Sequence, residues 1–318
     1  MASLPPRTPP ADVLRALRRE VHFGCPVEGC GKPFLMWHHF DPQWSECPHH
    51  NPEGMIALCT EHCQEADRKL RTKEDLKRLK RSPFTKDVVE AKLPWASDNL
   101  ILRVGGSYFS TPCQVLSICD QPIVAVRRSD EGPLLVSVRF YDENDIPVAI
   151  LEDNFFTSIT DISDIVVSPG KDRLEVTYKP RHLYFRLKYS PIAPHRFEQI
   201  VLKDNERSRV NWQADIKKRM KEDPEHADWW RSILSREESP SPGRLASSIT
   251  TFANAHCKNT DGNIVCCSVE GRFLYRAMSI QIQGNRIGVR GRGQIQLSFC
   301  FVQNGRGISI KKDGSITI

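Results

Sequence analysis

The chain has 318 residues, 39% hydrophobic and 26% charged, and carries a net charge of +6 at neutral pH. That length supports two or more domains with real cores, and the balance of residues excludes a disordered or fibrous chain. No apolar run approaches the length of a membrane-spanning helix; the best, Pro133–Val138 and Pro147–Leu151, are strand-sized.

The first residues, Met1-Ala-Ser-Leu-Pro-Pro-Arg-Thr-Pro-Pro, lack the apolar core of a signal peptide. A cytoplasmic protein with reduced thiols is therefore expected. Five of the eleven cysteines fall within the first 63 residues, and in a reducing compartment metal binding explains that crowding better than disulfides do. Cys25 and Cys30 are followed, after an interval of 28 residues, by Cys59 and His62. Three thiolates and an imidazole in two close pairs suit a closed tetrahedral cage for structural zinc. Between the pairs, the apolar segment Phe34–Trp37 leads into His38-His39. Four ligands close a cage, so these two histidines are surplus to it and point to a second, chemically active site. Adjacent on a strand, they would face opposite sides unless the backbone bends there.

The segment from about Val21 to Ala66 resembles the HNH nucleases. Their ββα-metal finger joins a Cys pair, an Asp-His or His-His pair at a strand end and an Asn-containing loop. A hydrophobic run then leads into Cys-x-x-Cys-His or Cys-x-x-His-His. By that resemblance Cys25, Cys30, Cys59 and His62 hold structural zinc, His38 binds a catalytic divalent ion, and His39 is the general base. Cys63 stands where the family has its last His, the second protein ligand of that ion. Asn51 is a loose match to the middle Asn, whose usual place is occupied here by Gly54. The implied activity is hydrolysis of DNA phosphodiester bonds with Mg2+, Mn2+, Ni2+ or Zn2+. Such hydrolysis needs an activated water and a cation that absorbs charge on the phosphate and leaving oxygen. A neutral imidazole held by a backbone carbonyl can take the proton of that water near neutral pH. Cys63 leaves two outcomes open. One is a metal preference shifted toward soft ions; the other is a catalytically inactive finger acting as a DNA-binding or scaffolding module. Cys47, His49 and His50, in the Pro-rich loop Glu46–Pro52, offer alternative ligands but read first as solvated loop residues.

Next along the chain, Arg68–Arg81 carries Arg68, Lys69, Arg71, Lys73, Lys77, Arg78, Lys80 and Arg81 against two acids, a net charge equal to that of the whole protein. Thr72 with Asp75 three residues on predicts a capped helix, and Leu76 and Leu79 give it a thin apolar stripe. Beside a nuclease-like finger, this basic helix is expected to contact DNA phosphates with sequence-independent, salt-sensitive affinity.

After Pro83 the texture turns to short strands rich in Val, Ile and Leu, at Asn99–Gly106, Gln114–Ile118, Ile123–Arg127 and Leu134–Phe140. They continue through Ile165–Val167, Leu174–Tyr178 and Leu183–Leu187, with hairpin turns expected at Ser129–Gly132 and Asp142–Asp145. Close spacing favours an antiparallel meander, sandwich or roll. No acid pair, phosphate loop or nucleophile motif occurs there, so the region reads as a binding or assembly module for a protein partner or a second copy of the chain. From about Asp204 to Glu238 the chain is charged and helix-friendly, with Trp229 and Trp230 as packing anchors, and Ser239–Gly243 reads as a linker. Beyond it, alternating strands at Ile280–Ile287, Gln294–Phe299 and Ile308–Ile318 turn last at Asp313-Gly314. Whether they complete the middle β region is open. The expected architecture is α+β. A small N-terminal ββα-metal zinc finger with its basic helix (1–95) precedes a mainly antiparallel β domain (96–203), a helical segment and linker (204–247) and a C-terminal β segment (248–318).

Overall fold

A computed structural model of the chain describes residues 5–84, 89–98, 100–105, 107–110, 112–158, 162–179, 182–222, 224, 227–228, 231, 264–276, 278–283, 286–289, 294–295, 300–302, 307–311 and 316–317. Helices and sheets are both present, so the chain is α+β. Among the described residues no helix is long and apolar enough to cross a membrane. Trp229, Trp230, the Ser239–Gly243 linker and the Asp313-Gly314 turn lie outside the described residues. The chain forms two compact units, one of residues 1–94, 139–141 and 146–186, the other of 95–138, 142–145 and 187–318.

The first unit begins with α1 (Ala11–Glu20), followed by β1 (Leu35–His39), a short 3-10 turn at Pro52–Gly54 and β2 (Met55–Cys59). β2 runs straight into α2 (Thr60–Asp67), and α3 (Lys73–Arg81) follows. β1 and β2 pair antiparallel, with His38 opposite Ile56 and His39 opposite Met55. β2 is buried along its whole length, and the two-residue period divides its side chains between two clusters. Ile56 and Leu58 pack with Cys25, Cys63, Ala66 and Leu76; Met55 and Ala57 pack with Leu17 and Val21. At roughly 1.5–3 kcal/mol for each large side chain buried, these contacts give the β1–β2–α2 segment an apolar core besides its cysteines.

The helix ends follow from local chemistry. At α3 the expected capping box is present: Thr72 Oγ1 accepts from the Asp75 N–H at 3.1 Å, and Asp75 Oδ2 accepts from the Thr72 N–H at 3.1 Å. At the end of α2 the Lys69 N–H donates to the Ala66 carbonyl at 3.0 Å and the Leu70 N–H to the Glu65 carbonyl at 2.9 Å. This is a Schellman motif, and its left-handed residue, usually glycine, is Lys69 at φ 61°.

The chain is then mostly strand: β3 (Glu90–Lys92), β4 (Leu100–Val104), β5 (Ser107–Phe109), β6 (Cys113–Ile118), β7 (Gln121–Arg128), β8 (Leu134–Tyr141), β9 (Pro147–Glu152), β10 (Phe155–Ser158), β11 (Asp164–Val167), β12 (Arg173–Lys179) and β13 (His182–Ile192). After α4 (Pro194–Glu222) come β14 (Ile264–Tyr275), β15 (Met278–Gln283), β16 (Arg286–Val289), β17 (Gln294–Ile295), β18 (Cys300–Val302), β19 (Ile308–Ile310) and β20 (Ile316–Thr317). Within the first unit β9, β10 and β3 form an antiparallel ribbon, and β11 pairs with β12.

In the second unit β6 and β7 pair antiparallel, as do β7 and β8, and β14–β15–β16–β17 form a second meander. The Ser129–Gly132 turn forms as expected, with Gly132 at φ 113° and the Ser129 N–H on the Pro133 carbonyl at 2.8 Å. Asp142–Asp145 also turns, with Asp145 at φ 63°. Among the described residues, three pairings depart from the antiparallel trend. β14 lies parallel to β4, β18 to β5 and β19 to β6. The C-terminal strands therefore complete the middle β region, which answers the question left open by the sequence. α4 starts at Pro194, well before Asp204, because Phe197 and Val201 one turn apart are fully buried. Charge marks the solvated part of that helix, whereas its first turns, with His195 and Arg196 exposed, are held by those two apolar side chains.

Candidate metal centre and adjoining cleft

Backbone geometry of residues 24–32 brings the first cysteine pair together. The Cys25 N–H donates to the Lys32 carbonyl at 3.0 Å and the Cys30 N–H to the Val27 carbonyl at 3.0 Å. Gly29 and Gly31 take φ values of 76° and 60°, which glycine adopts without a Cβ penalty. Cys59 is the N-cap of α2 and His62 lies in its first turn, so both face the loop. Cys25 Sγ is 3.2 Å and Cys59 Sγ 3.3 Å from His62 Nδ1, and Cys30 Sγ is 3.8 Å from Cys59 Sγ. All four donor atoms lie within 4.8 Å of one another. A zinc tetrahedron with Zn–S bonds of about 2.3 Å has S–S edges of about 3.8 Å. The Cys3His cluster could therefore hold a metal ion such as zinc. The cysteines are free thiols. A hydrogen bond from Cys25 holds the Cys59 thiol down to about 5, and the same bond, with burial, pushes Cys25 up.

A second group gathers on the neighbouring face of α2. Donor atoms of His38, Cys63 and Asp67 all lie within 4.8 Å of one another, and His38 Nδ1 is 3.1 Å from Asp67 Oδ1. Cys63 and Asp67 are four apart on one helix and so share a face. Burial pulls the His38 pKa down, with Asp67 opposing, while burial pushes Cys63 up to about 11. Asp67 is the residue that motif reading misses, since the family pattern ends at position 63. Its only signal is the one-turn spacing from Cys63.

His39 faces a different set of partners. Its Nε2 donates to the His49 carbonyl at 3.0 Å, which leaves Nδ1 with its lone pair. Burial lowers the His39 pKa, only partly opposed by that hydrogen bond, which favours the neutral ring. Trp44 and His49 pack on it, with ring centroids 4.9 and 5.0 Å away. His49 is itself fixed: Nε2 donates to the Pro42 carbonyl at 3.0 Å and Nδ1 accepts from the Asn51 N–H at 3.1 Å. His50 Nε2 donates to the Pro6 carbonyl at 2.8 Å. Asn51 Oδ1 accepts from the Glu53 N–H at 3.2 Å and caps the 3-10 turn. It thereby steadies the loop whose carbonyl holds His39. Gly54 has no room for the family's asparagine, because a Cβ there would sit 2.0 Å from the Asp41 carbonyl oxygen. His38, His39, Trp44, Cys63 and Asp67, with Arg7 and Lys69, line a cleft of about 440 Å³.

The basic run meets carboxylates. Lys73 and Lys77 both pair with Asp41, the latter at 2.8 Å, and Lys80 pairs with Glu20. Arg71 pairs with Glu65 at 2.7 Å and Arg78 with Asp75 at 2.8 Å. Arg68, Lys69 and Arg81 have no ionic partner among the described residues. No family model matches the chain, and neither the curated proteins nor the solved structures contain a match to it.

Proposed function

We propose that the finger is an HNH-type nuclease site that hydrolyses DNA phosphodiester bonds. His39 is its general base, while His38, Cys63 and Asp67 hold a divalent ion. Cys25, Cys30, Cys59 and His62 form its structural zinc centre. The observation that carries this reading is a His39 ring anchored on the His49 carbonyl in the same cleft as the His38–Cys63–Asp67 group. Anchoring at Nε2 aims the free Nδ1 lone pair and fixes the tautomer a general base needs. When bound, the ion would absorb charge on the phosphate and leaving oxygen. Asp67 adds the anionic oxygen that magnesium and manganese favour, which offsets the soft donor at Cys63. The β units are read as a recognition or regulatory region, and the protein as one that acts in the cytoplasm.

Plasmid nicking by the full chain with magnesium, manganese, nickel or zinc tests the reading. His39→Ala should cut about 10²–10⁴-fold more slowly than wild type. Absence of cutting by the wild type with every ion would overturn the nuclease reading in favour of a second one. In that alternative the finger is a zinc-stabilised DNA-binding or scaffolding module without catalysis. Its support is the buried, protonated Cys63 thiol where the family has a ligating His.

A further inference from the structure

The distribution of unpaired charge around the cleft bears on what enters it. Most cations of α3 are engaged by carboxylates of the protein itself. Arg7 and Lys69 instead line the cleft and have no ionic partner among the described residues. Lys69 also holds the left-handed end of α2, where glycine would fit without steric cost. The hydrogen bond from His50 to the Pro6 carbonyl tethers the segment bearing Arg7 to the loop bearing Trp44. Trp44 is half-buried, stacked on His50 at 5.4 Å and 29°, and lies beside His39 in the same cleft. Two free cations and an aromatic platform are the elements with which proteins hold unpaired nucleotides. A duplex keeps its base faces stacked inside and has nothing to offer an indole.

We infer that the cleft binds single-stranded DNA, with backbone phosphates on Arg7 and Lys69 and an unpaired base against Trp44. The inference rests on the nuclease reading for what happens to the strand, but binding itself requires neither the ion nor turnover. It assigns the cleft, rather than α3, as the surface that follows the backbone.

The test uses the full chain carrying His39→Ala, so that bound DNA stays intact. Fluorescence anisotropy with labelled oligothymidine and with a labelled mixed-sequence duplex, across a salt series, gives affinity and salt slope. Oligothymidine should bind more tightly than duplex. Trp44→Ala should weaken oligothymidine binding by about 5–150-fold, the range for losing one base–aromatic stack, and duplex binding far less. Arg7→Gln and Lys69→Gln should each flatten the single-strand salt slope by about 0.7. Lys69→Gly separates function from folding. It should slow amide exchange at the end of α2 by about twofold to fivefold through relief of the left-handed backbone, yet weaken oligothymidine binding. Tighter binding of duplex, insensitivity to Trp44→Ala, or full affinity in Lys69→Gly would each overturn the inference. The expected pattern in a chain that nicks with no ion would retain single-strand binding and remove the nuclease. Nicking without the pattern would do the reverse.

Discussion

Gly54→Ala puts the anchoring of His39 to a quantitative test. The new Cβ would meet the Asp41 carbonyl oxygen at 2.0 Å and His49 Cε1 at 2.9 Å. An ordinary carbon–oxygen contact needs about 3.3 Å, so the two segments must part by more than 1 Å. At that separation the Gly54 carbonyl loses the Phe40 and Asp41 N–H groups that it now accepts at 2.9 and 3.2 Å. Two lost bonds at about 1 kcal/mol each, with about 1–3 kcal/mol of overpacking, give roughly 3–5 kcal/mol. Gly29→Ala is the control. Gly29 has a φ of 76° but nothing within 4 Å of its Cβ position, so it carries backbone cost alone, about 1 kcal/mol. Because the chain has two units, amide hydrogen exchange over residues 35–59 is the proper assay rather than one global melt. Protection there should fall about 100-fold or more in Gly54→Ala and about fivefold in Gly29→Ala. Equal effects of the two substitutions would refute the steric argument.

Cys59→Ser should lower bound zinc by one equivalent per chain and strip exchange protection from the finger, since structural zinc contributes on the order of 10 kcal/mol in such modules; undiminished zinc content would exclude the cage. Cys63→His should raise magnesium- or manganese-dependent nicking without changing structural zinc. Asp67→Asn should depress magnesium-dependent more than zinc-dependent nicking, and indifference to both substitutions would show that neither residue is a ligand. Asp41 is held below its ordinary carboxylate range by hydrogen bonds from Lys73 and Lys77. A lowered folded pKa contributes stability that is present above the ordinary value of 3.8 and is lost as pH falls through the folded one. Proteolysis of the α3 segment should therefore accelerate in acid for wild type, whereas Asp41→Asn should show a flatter pH dependence.

Local chemistry made some of this molecule legible. The Cys25–Cys30 loop and the Cys59–His62 turn each span a few residues, so spacing alone specifies donors that can converge. The Thr72–Asp75 capping box and the Ser129–Gly132 turn are equally local. Remote partners were not legible. The acids that engage α3, Asp41 and Glu20, lie on segments tens of residues away, so a run of positive charge looks free until the fold places carboxylates beside it. Asp67 is not legible either, because a lone exposed acid at a helix end is ordinary until His38 arrives from β1. Parallel pairing is likewise invisible in sequence, for nothing local to β4 or β6 encodes strands that lie beyond α4.

Those parallel pairings also set a timetable for biosynthesis. Leu100 waits for Val265, and Leu116 for Ile308. At roughly 5–20 residues per second the ribosome needs on the order of ten seconds to deliver these partners. The β1–β2–α2 hairpin, whose contacts are short in sequence, can fold meanwhile. During that interval β4 and β6 present bare edges on the nascent chain, open to pairing with other molecules. Translation halted just after α4 would make that interval permanent. The cell would then hold a completed β1–β2–α2 segment tethered to strands that each lack one native neighbour.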